Sequence, residues 1–377
     1  MKKLCVIATI PEVVHSFMQG HILASSKKWQ VTIVSNPSGA EIISGMGAQF
    51  EPISFYRKMS PMHDLRAFIQ LIFFFRRERF DLVHSIMPKT GLLAMLAARI
   101  AGVPRRVHTF TGQVWANKYG WQRRLLKIFD KLIVSFATHL IVDSPSQRDF
   151  LIREGVLPPN KGQVIGNGSI CGVDTQRFKP DVAIRQAVRA ELLVKPEQTV
   201  VLFLGRLNVD KGIPELAQAF VNLAEQAEDV VLILVGAEEN FPFARVQEIC
   251  GIHHDRLRRV SFTTTPERYM MAADIFCLPS HREGFGQVII EAAACEVPSV
   301  ANAIYGISDA VEDGKTGLLC QTGDIAMLTQ YLLMLVKNTE LRVAMGKAAR
   351  ERAINLFSSQ KITDGMNAIY KELLEQH

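Results

Sequence analysis

Short runs of apolar residues alternate along the chain with longer segments in which apolar residues recur every three or four positions. The short runs are typical of buried β-strands, and the longer segments are typical of helices that cover a sheet with one face. In the N-terminal half the predicted strands are 4–10, 29–35, 82–85, 106–110 and 139–144, and the predicted helices are 13–25, 63–78, 90–101, 121–137 and 146–154.

The second half repeats this alternation. Its predicted strands are 200–205, 230–235, 260–263, 275–278 and 298–301, and its predicted helices are 212–226, 243–250, 266–273, 287–295 and 327–336. The pattern predicts an α/β protein with two doubly wound, mostly parallel Rossmann-like domains. Ligands of such sheets bind beyond the carboxyl ends of the strands, so two facing domains would bind their ligand in the cleft between them.

A segment rich in glycine, asparagine and aspartate, 164–180, is the predicted linker between the domains. It divides the chain into an N-terminal domain, 1–168, and a C-terminal domain, 169–357. A last helix, within 358–377, follows the second domain, and we expect it to pack back on the first.

Charge is unevenly distributed along the 377 residues. Residues 1–170 hold 22 Lys and Arg against 10 Asp and Glu, a net charge of +12, whereas the remainder holds 21 against 27, a net charge of −6. The N-terminal half is therefore expected to meet an anionic surface. The sequence has no helix-turn-helix, RNA-recognition or zinc-finger pattern, which argues against nucleic acid as the partner.

Cysteine spacing and hydropathy indicate a location. The six cysteines are scattered without a Cys-x-x-Cys pair, which predicts a reduced, intracellular protein without a cysteine-based metal site. The apolar run at the start ends at Pro11, too early for a signal peptide, and the longest apolar stretches fall short of the roughly 20 residues that span a bilayer. We therefore expect a cytoplasmic protein.

The most informative segment is 283–291, with the sequence EGFGQVIIE, between a predicted strand and a predicted helix. Two glycines before a helix allow backbone N–H groups to approach an anion. Carboxylates on either side of a bound phosphate would suit the hydroxyls of a nucleotide sugar. The alternative is that Glu283 and Glu291 are solvated or serve the helix dipole.

A second segment carries two cations. Gly205 and Arg206 follow a predicted strand, and Lys211 stands just before the next helix. Such a turn is a plausible diphosphate cradle, because two cations can neutralise a leaving diphosphate without a metal ion. The alternative is that both cations are solvated loop charges.

These segments together resemble the retaining glycosyltransferase family 4, which has the GT-B fold of two facing Rossmann-like domains. The resemblance covers nearly the whole chain and is strongest over 164–320. The segments that carry it are 203–207, 211–212, 269–280, 283–286, 291–292, the linker motif in 167–180, and 313–319.

The resemblance implies roles for individual residues. Arg206 and Lys211 would bind the donor diphosphate, Glu283 the hydroxyls of the transferred sugar, and Glu291 the ribose. His108, at a predicted strand end, would face the sugar, unless it is a core histidine. The implied catalytic residues are therefore His108, Arg206, Lys211 and Glu283. Further donor-binding residues are expected to be Gly205, Thr263, Gly284, Phe285, Gly286 and Gln287.

The resemblance also implies the chemistry. We find no obvious nucleophilic carboxylate in the N-terminal half, so the acceptor would attack on the face that the diphosphate leaves, and the diphosphate would take its proton. The sequence has no Asp-x-Asp at a strand end and gives no reason to expect a metal or cofactor. The co-substrate would be a nucleotide sugar, UDP-N-acetylhexosamine or UDP-hexose.

Two departures from the family pattern are informative. The first strand–helix loop, 9–17, lacks the Gly-Gly pair of many members and resembles members that extend lipid-linked surface polysaccharides. Glu296 stands where a glycine is usual.

The acceptor side is predicted from an aromatic–basic cluster after His108. It comprises Trp115, Lys118, Trp121, Arg123, Arg124 and Lys127. Such residues suit peripheral contact with the anionic inner face of the cytoplasmic membrane, with a polyprenyl-diphosphate-linked saccharide as acceptor, in O-antigen, capsule or related glycan synthesis. The alternative is that the aromatic residues belong to the core, which we expect of 73–75 in another apolar and basic segment.

Two other functions remain open at this stage. One is a sugar-nucleotide epimerase on the same fold, which would need an acid–base pair at the sugar. The other is a protein that binds nucleotides or nucleic acid through its basic half and is not an enzyme.

Overall fold

The computed structural model describes residues 1–56 and 60–375. It divides the chain into two compact units, Met1–Gly172 together with the segment from Ser359, and Val173–Ser358. The boundary between the two units thus lies after Gly172 in the chain, whereas the sequence predicted it after residue 168.

The first unit contains a six-stranded parallel sheet in the order β3-β2-β1-β4-β5-β6. Its strands are β1 (Lys3–Ile7), β2 (Gln30–Ser35), β3 (Gln49–Pro52), β4 (Leu82–Ile86), β5 (Arg105–Phe110) and β6 (His139–Val142). Its helices are α1 (Pro11–Ser25), α2 (Pro61–Glu78), α3 (Pro88–Ile100), α4 (Gly120–Phe136) and α5 (Pro145–Arg153). Four of these helices begin at proline, whose fixed φ and missing N–H suit the first helical position.

The second unit repeats this architecture with the strand order β12-β11-β10-β7-β8-β9. Its strands are β7 (Thr199–Leu204), β8 (Val230–Val235), β9 (Leu257–Val260), β10 (Ile275–Leu278), β11 (Ser299–Asn302) and β12 (Gly317–Cys320). Its helices are α6 (Val182–Glu191), α7 (Ile213–Ala224), α8 (Phe243–Cys250), α9 (Pro266–Ala272), α10 (Gln287–Ala294), α11 (Ile307–Ala310), α12 (Ile325–Lys337) and α13 (Thr339–Phe357).

The central strands of both sheets are buried on their two faces. Strand β8, Val-Val-Leu-Ile-Leu-Val, is buried at every position, as a central parallel strand covered by helices on both sides should be. The prediction of two doubly wound parallel domains is confirmed, although β3, β12, α6, α11 and α13 were missed and the strand expected at 260–263 lies earlier, at β9.

The chain ends in a helix of the first unit, α14 (Ser359–Glu375), which packs against α1. Tyr370 Oη lies 2.6 Å from Nδ1 of the buried His84, whose Nε2 lies 2.7 Å from Thr109 Oγ1. Burial lowers the pKa of His84 to about 3. The ring is therefore neutral, with one nitrogen donating and the other accepting.

In the part of the chain that the structure describes, no helix combines the length and the apolar character needed to cross a bilayer.

The anchoring of α14 is tested with Tyr370→Phe. Loss of the hydroxyl leaves a ring nitrogen of His84 unpaired in the core, which should lower the free energy of unfolding by about 1–2 kcal/mol. Chemical denaturation measures this loss. Tyr119→Phe is the matched control, because Tyr119 is 87% exposed and its variant should match the native protein. Equal stability of Tyr370→Phe would contradict the anchoring role.

Candidate functional site

The two cations predicted from the sequence lie in the connection between β7 and α7. Asn208 Oδ1 accepts a hydrogen bond of 2.9 Å from Lys211 N and closes a tight turn. Gly212 then takes the left-handed conformation, with φ +72°. A side chain there would collide with the carbonyl oxygen of Pro279, so glycine lets this turn approach the end of β10.

The segment after β10 is fastened to that turn. His281 N donates to Asp210 O over 2.9 Å, and Asn302 Nδ2 donates to Pro279 O over 2.8 Å. Lys211 Nζ forms an ion pair with Glu283 Oε1, and both side chains are largely shielded, at 21% and 14% exposure. The structure therefore brings together Lys211 and Glu283, which are far apart in sequence.

Glycines allow the segment between Glu283 and α10 to lie close to the backbone of the loop that carries Gly306. Gly286 is left-handed, with φ +76°, and directly precedes α10. A side chain on Gly306 would collide with the carbonyl of Gly284, so the 284–287 segment lies tightly against the next loop. The side chain of Phe285 packs on Phe357 with ring centroids 5.1 Å apart, which leaves only its backbone for a ligand.

Glu291 lies one turn into α10, and its carboxyl group has a shifted pKa. Gln287 Nε2 donates to Glu291 Oε1 over 3.3 Å. Burial raises the pKa of Glu291 to about 7, and the nearby Glu267 adds to the rise, whereas Gln287 and the charge of Arg177 oppose it. A buried carboxyl group with a shifted pKa is a frequent sign of a functional site.

Arg177 is a residue of this site that the sequence analysis missed. Its guanidinium pairs with Glu267 at 2.7 Å and donates to Thr264 O over 2.8 Å. It thereby ties the end of the linker segment 164–180 to the loop that carries Thr263. Thr263 lies beyond β9, in a loop where its Oγ1 accepts from Thr265 N over 3.1 Å.

Arg206 is not paired with the carboxylates around Lys211. Its Nη1 lies 2.5 Å from Oε1 of Glu239, in the loop after β8, and Asn208 Nδ2 donates to the other Glu239 oxygen over 2.6 Å. Gly205 N donates to Val235 O over 2.9 Å. This N–H therefore continues the hydrogen bonding of the sheet and is not available to a nucleotide sugar. Glu239 follows the carboxyl end of a strand, and that position could have indicated it.

In the first unit, His108 lies in β5 and is almost fully buried, at 1% exposure. Its Nδ1 lies 2.8 Å from Ser85 Oγ, and a side chain at Gly91 would collide with the imidazole ring. Burial lowers the pKa of His108 to about 3, so the ring is neutral at physiological pH. It can exchange hydrogen bonds with a hydroxyl group, but it is not a standing positive charge.

The aromatic–basic cluster of the sequence divides into an internal and an exposed part. Trp115 is 1% exposed, donates to Asp130 Oδ2 over 2.7 Å and stacks on Phe150, so its prediction as a membrane or acceptor contact was wrong. Arg123 and Lys127 each lie over the Trp115 ring and pair with Glu154 at 2.7 Å.

Lys118, Trp121 and Arg124 remain at the surface, with Trp121 71% exposed. The expectation that residues 73–75 belong to the core holds for Phe74 and Phe75 but was wrong for Phe73, which is 67% exposed.

Glu296, the departure from the family glycine, has φ +62°. A glycine is usual here because this conformation strains any residue with a side chain. No group of three or more His, Cys, Asp or Glu side chains placed to hold a metal ion occurs within residues 1–56 and 60–375.

Comparisons with known proteins show the family of the chain. The family model for a glycosyl transferase 4-like domain matches residues 21–168, and the model for glycosyl transferases group 1 matches residues 184–352. A D-inositol 3-phosphate glycosyltransferase from Corynebacterium jeikeium is 30% identical to this chain, over 93% of it and 86% of the relative. The chain therefore belongs to the family 4 glycosyltransferases of the GT-B fold.

Two further relatives and one solved structure are informative. The capsular polysaccharide biosynthesis glycosyltransferase CapM of Staphylococcus aureus is 29% identical over 95% of this chain and 94% of its own. The UDP-Gal:alpha-D-GlcNAc-diphosphoundecaprenol alpha-1,3-galactosyltransferase of Escherichia coli is 26% identical over 95% and 92%. The crystal structure of Anabaena HepE with UDP and glucose matches the fold with a TM-score of 0.84 at 20% identity, covering 99% of this chain and all of that one.

The burial of Glu291 makes a prediction about stability and pH. Between its ordinary pKa and about 7, the folded protein holds a proton that the unfolded chain releases, so stability falls as pH rises through this window. Glu291→Gln removes the loss and should raise the free energy of unfolding by about 1–3 kcal/mol at pH 8, and by less at pH 5.

Denaturant titrations at the two pH values measure this difference. Glu351→Gln is the control, because Glu351 is exposed on α13 and its variant should not differ from the native protein. A Glu291→Gln variant that is less stable than the native protein at pH 8 would contradict a raised pKa of Glu291 in the folded protein.

Proposed function

We propose that the protein transfers a sugar from a UDP-sugar, a UDP-hexose or UDP-N-acetylhexosamine, to a saccharide carried on a polyprenyl diphosphate, in capsule, O-antigen or related glycan synthesis. The observation that carries the proposal is the meeting of two loops at the carboxyl edge of the second sheet, where Lys211 pairs with Glu283. The name of the Escherichia relative, with UDP-Gal as donor and a diphosphoundecaprenol-linked acceptor, supports the substrate classes, and that of the Staphylococcus relative supports capsule synthesis.

The donor site is built on the second unit. Strands β7 and β10 are neighbours at the point where the strand order reverses, and ligands of open α/β sheets bind in the crevice at such a point. Lys211, Arg206 and the start of α10 would hold the diphosphate, since cations and a helix N-terminus attract anions. Glu291 would accept hydrogen bonds from the ribose, and Glu283 from the transferred sugar.

The reaction we propose retains the configuration of the anomeric carbon. The acceptor hydroxyl attacks on the face that the diphosphate leaves, its proton passes to the departing phosphate oxygen, and the new glycosidic bond forms as the sugar–phosphate bond breaks. Lys211 and Arg206 stabilise the charge that develops on the diphosphate. These two cations supply this stabilisation without a metal ion in the mechanism.

Glu283 has a positioning role in this scheme. Its carboxylate is already engaged by Lys211 and can accept a further hydrogen bond from a sugar hydroxyl. His108, in the first unit, is neutral and can donate or accept one hydrogen bond. The family assignment favours neither the epimerase nor the nucleic-acid alternative.

The catalytic proposal is tested with Lys211→Met. Loss of the charge that stabilises the leaving diphosphate should lower kcat/KM about 100- to 1000-fold. Lys347→Met removes an exposed lysine of α13 and should leave the rate unchanged. Transfer is assayed from a panel of nucleotide sugars to polyprenyl-diphosphate-linked saccharides, and NMR of the product reports the anomeric configuration.

A loss smaller than tenfold in Lys211→Met, with the variant still folded, would contradict the role of this lysine. An inverted product would refute the same-face mechanism.

Peripheral membrane contact is the second part of the proposal, and an exposed apolar–basic face of the first unit supports it. The face lies on α2, on α4 and on the segment just before α4, and both helices pack against α3. Its apolar members are Met62, Leu65, Ile69, Phe73, Trp121, Ile128 and Leu132, and its basic members are Arg66, Arg76, Lys118, Arg124 and Lys131. Exposed apolar side chains among cations suit the interface of an anionic bilayer.

Membrane contact is tested by flotation with liposomes that contain anionic lipid. The double variant Phe73→Ser/Trp121→Ser should lose most of its binding, because these side chains are 67% and 71% exposed and would enter the interface. Ile252→Ser removes an apolar side chain of the second unit that is 87% exposed and should bind as the native protein does. Equal flotation of all three proteins would refute this face as the contact.

A further inference from the structure

Arg206 is engaged by a carboxylate in the free protein, and this engagement has a consequence for donor binding. We propose that Glu239 restrains the binding of the donor: it occupies Arg206 until the diphosphate displaces it. This inference rests on the proposed function, because it assumes that Arg206 binds the diphosphate of a nucleotide sugar.

Arg206 and Asn208 each donate a hydrogen bond to the carboxylate of Glu239. Arg206 Nη1 lies 2.5 Å from one oxygen, and Asn208 Nδ2 lies 2.6 Å from the other. Because one oxygen is bound to each donor, the carboxylate can keep Asn208 when the guanidinium leaves. The contact between Glu239 and Arg206 can thus break while the contact between Glu239 and Asn208 remains.

The backbone fixes the position from which Glu239 acts. Glu239 N donates to Leu207 O over 3.1 Å, and Leu207 N donates to Ala237 O over 2.8 Å. Val209 N also donates to Asn240 Oδ1 over 3.1 Å. The loop after β8 is therefore fastened to the loop after β7, and Glu239 stays beside Arg206 whatever rotamer its side chain adopts.

The exchange is energetically accessible. The side chains of Arg206 and Glu239 are 47% and 36% exposed, and ion pairs at such exposure are weak. A diphosphate carries more charge than one carboxylate and offers a bidentate partner to the guanidinium, so it can displace Glu239. The carboxylate that remains nearby repels the diphosphate, so the native protein binds the donor less tightly than its cations alone would permit.

This restraint should act on the diphosphate and not on the nucleoside. Uridine has no phosphate to compete for Arg206, so its binding should not depend on Glu239. UDP must compete with Glu239 for Arg206, and its diphosphate is also repelled by the Glu239 carboxylate. The two probes therefore separate the proposed role from a general effect of Glu239 on folding.

The test compares UDP and uridine binding by titration calorimetry in Glu239→Gln. Glutamine keeps an oxygen for Arg206 but loses the charge, so UDP should bind about three- to tenfold more tightly, as expected for removal of a weak ion pair and a like charge. Uridine affinity should be unchanged. Glu238→Gln is the matched control, because Glu238 lies one residue earlier and faces Arg259 at 3.7 Å, and it should bind UDP as the native protein does.

A second comparison assigns the effect to Arg206. In an Arg206→Gln background, Glu239→Gln should give no gain in UDP affinity, because the residue it restrains is gone. Persistence of the gain would overturn the proposal, and so would unchanged or weaker UDP binding in the single variant Glu239→Gln. If the native protein binds no nucleoside diphosphate at all, the proposed function itself fails. Normal UDP binding without a gain refutes the restraint alone.

Discussion

The pairing of β7 with β10 is the constraint on which the rest of the candidate site depends. Val201 lies opposite Ile275 and Leu202 opposite Phe276, in parallel register, although more than seventy residues separate the two strands. Parallel pairing sends both carboxyl ends to the same edge of the sheet. The loops that carry Lys211 and Glu283 must therefore meet, and Gly212 lets them meet without a steric clash with Pro279.

Charges at this edge are paired. Lys211 is balanced by Glu283, Arg206 by Glu239, and His281 by Glu215, whose 2.8 Å contact raises the pKa of the histidine. Glu291 differs from these pairs, because burial opposes its ionisation. Because each of these charges already has a partner, the site is stable without a ligand. We expect an anionic ligand to bind by replacing a carboxylate as the partner of a cation.

Much of the fold could be predicted from the sequence, because buried parallel strands are continuous apolar runs and most of the helices that cover them are amphipathic. Helix α13 was missed because its buried face consists largely of small residues, including Gly346, Ala349 and Ala353, which give no apolar period. Strand β3 was missed because it is only four residues long and two of its residues are polar, Gln49 and Glu51.

The residues of the candidate site differ in how far the sequence can indicate them. Lys211 and Glu283 lie in motifs whose glycines mark tight turns, so the sequence identifies them. Glu239 and Arg177 act through contacts made by folding, across 33 and 90 residues of chain, and no local pattern indicates such contacts. Trp115 was misassigned because an aromatic residue among cations resembles an interface, whereas here Arg123 and Lys127 cover a buried ring.

The central claim is that the two loops joined by the β7–β10 pairing bind the diphosphate of a nucleotide sugar. A crystal structure of the protein with an intact, non-transferable UDP-sugar tests it most directly. We predict that the diphosphate lies within hydrogen-bonding distance of Lys211 Nζ and of the backbone of 284–287, with the ribose at Glu291. A nucleotide bound away from Lys211 and Glu291 would contradict the account.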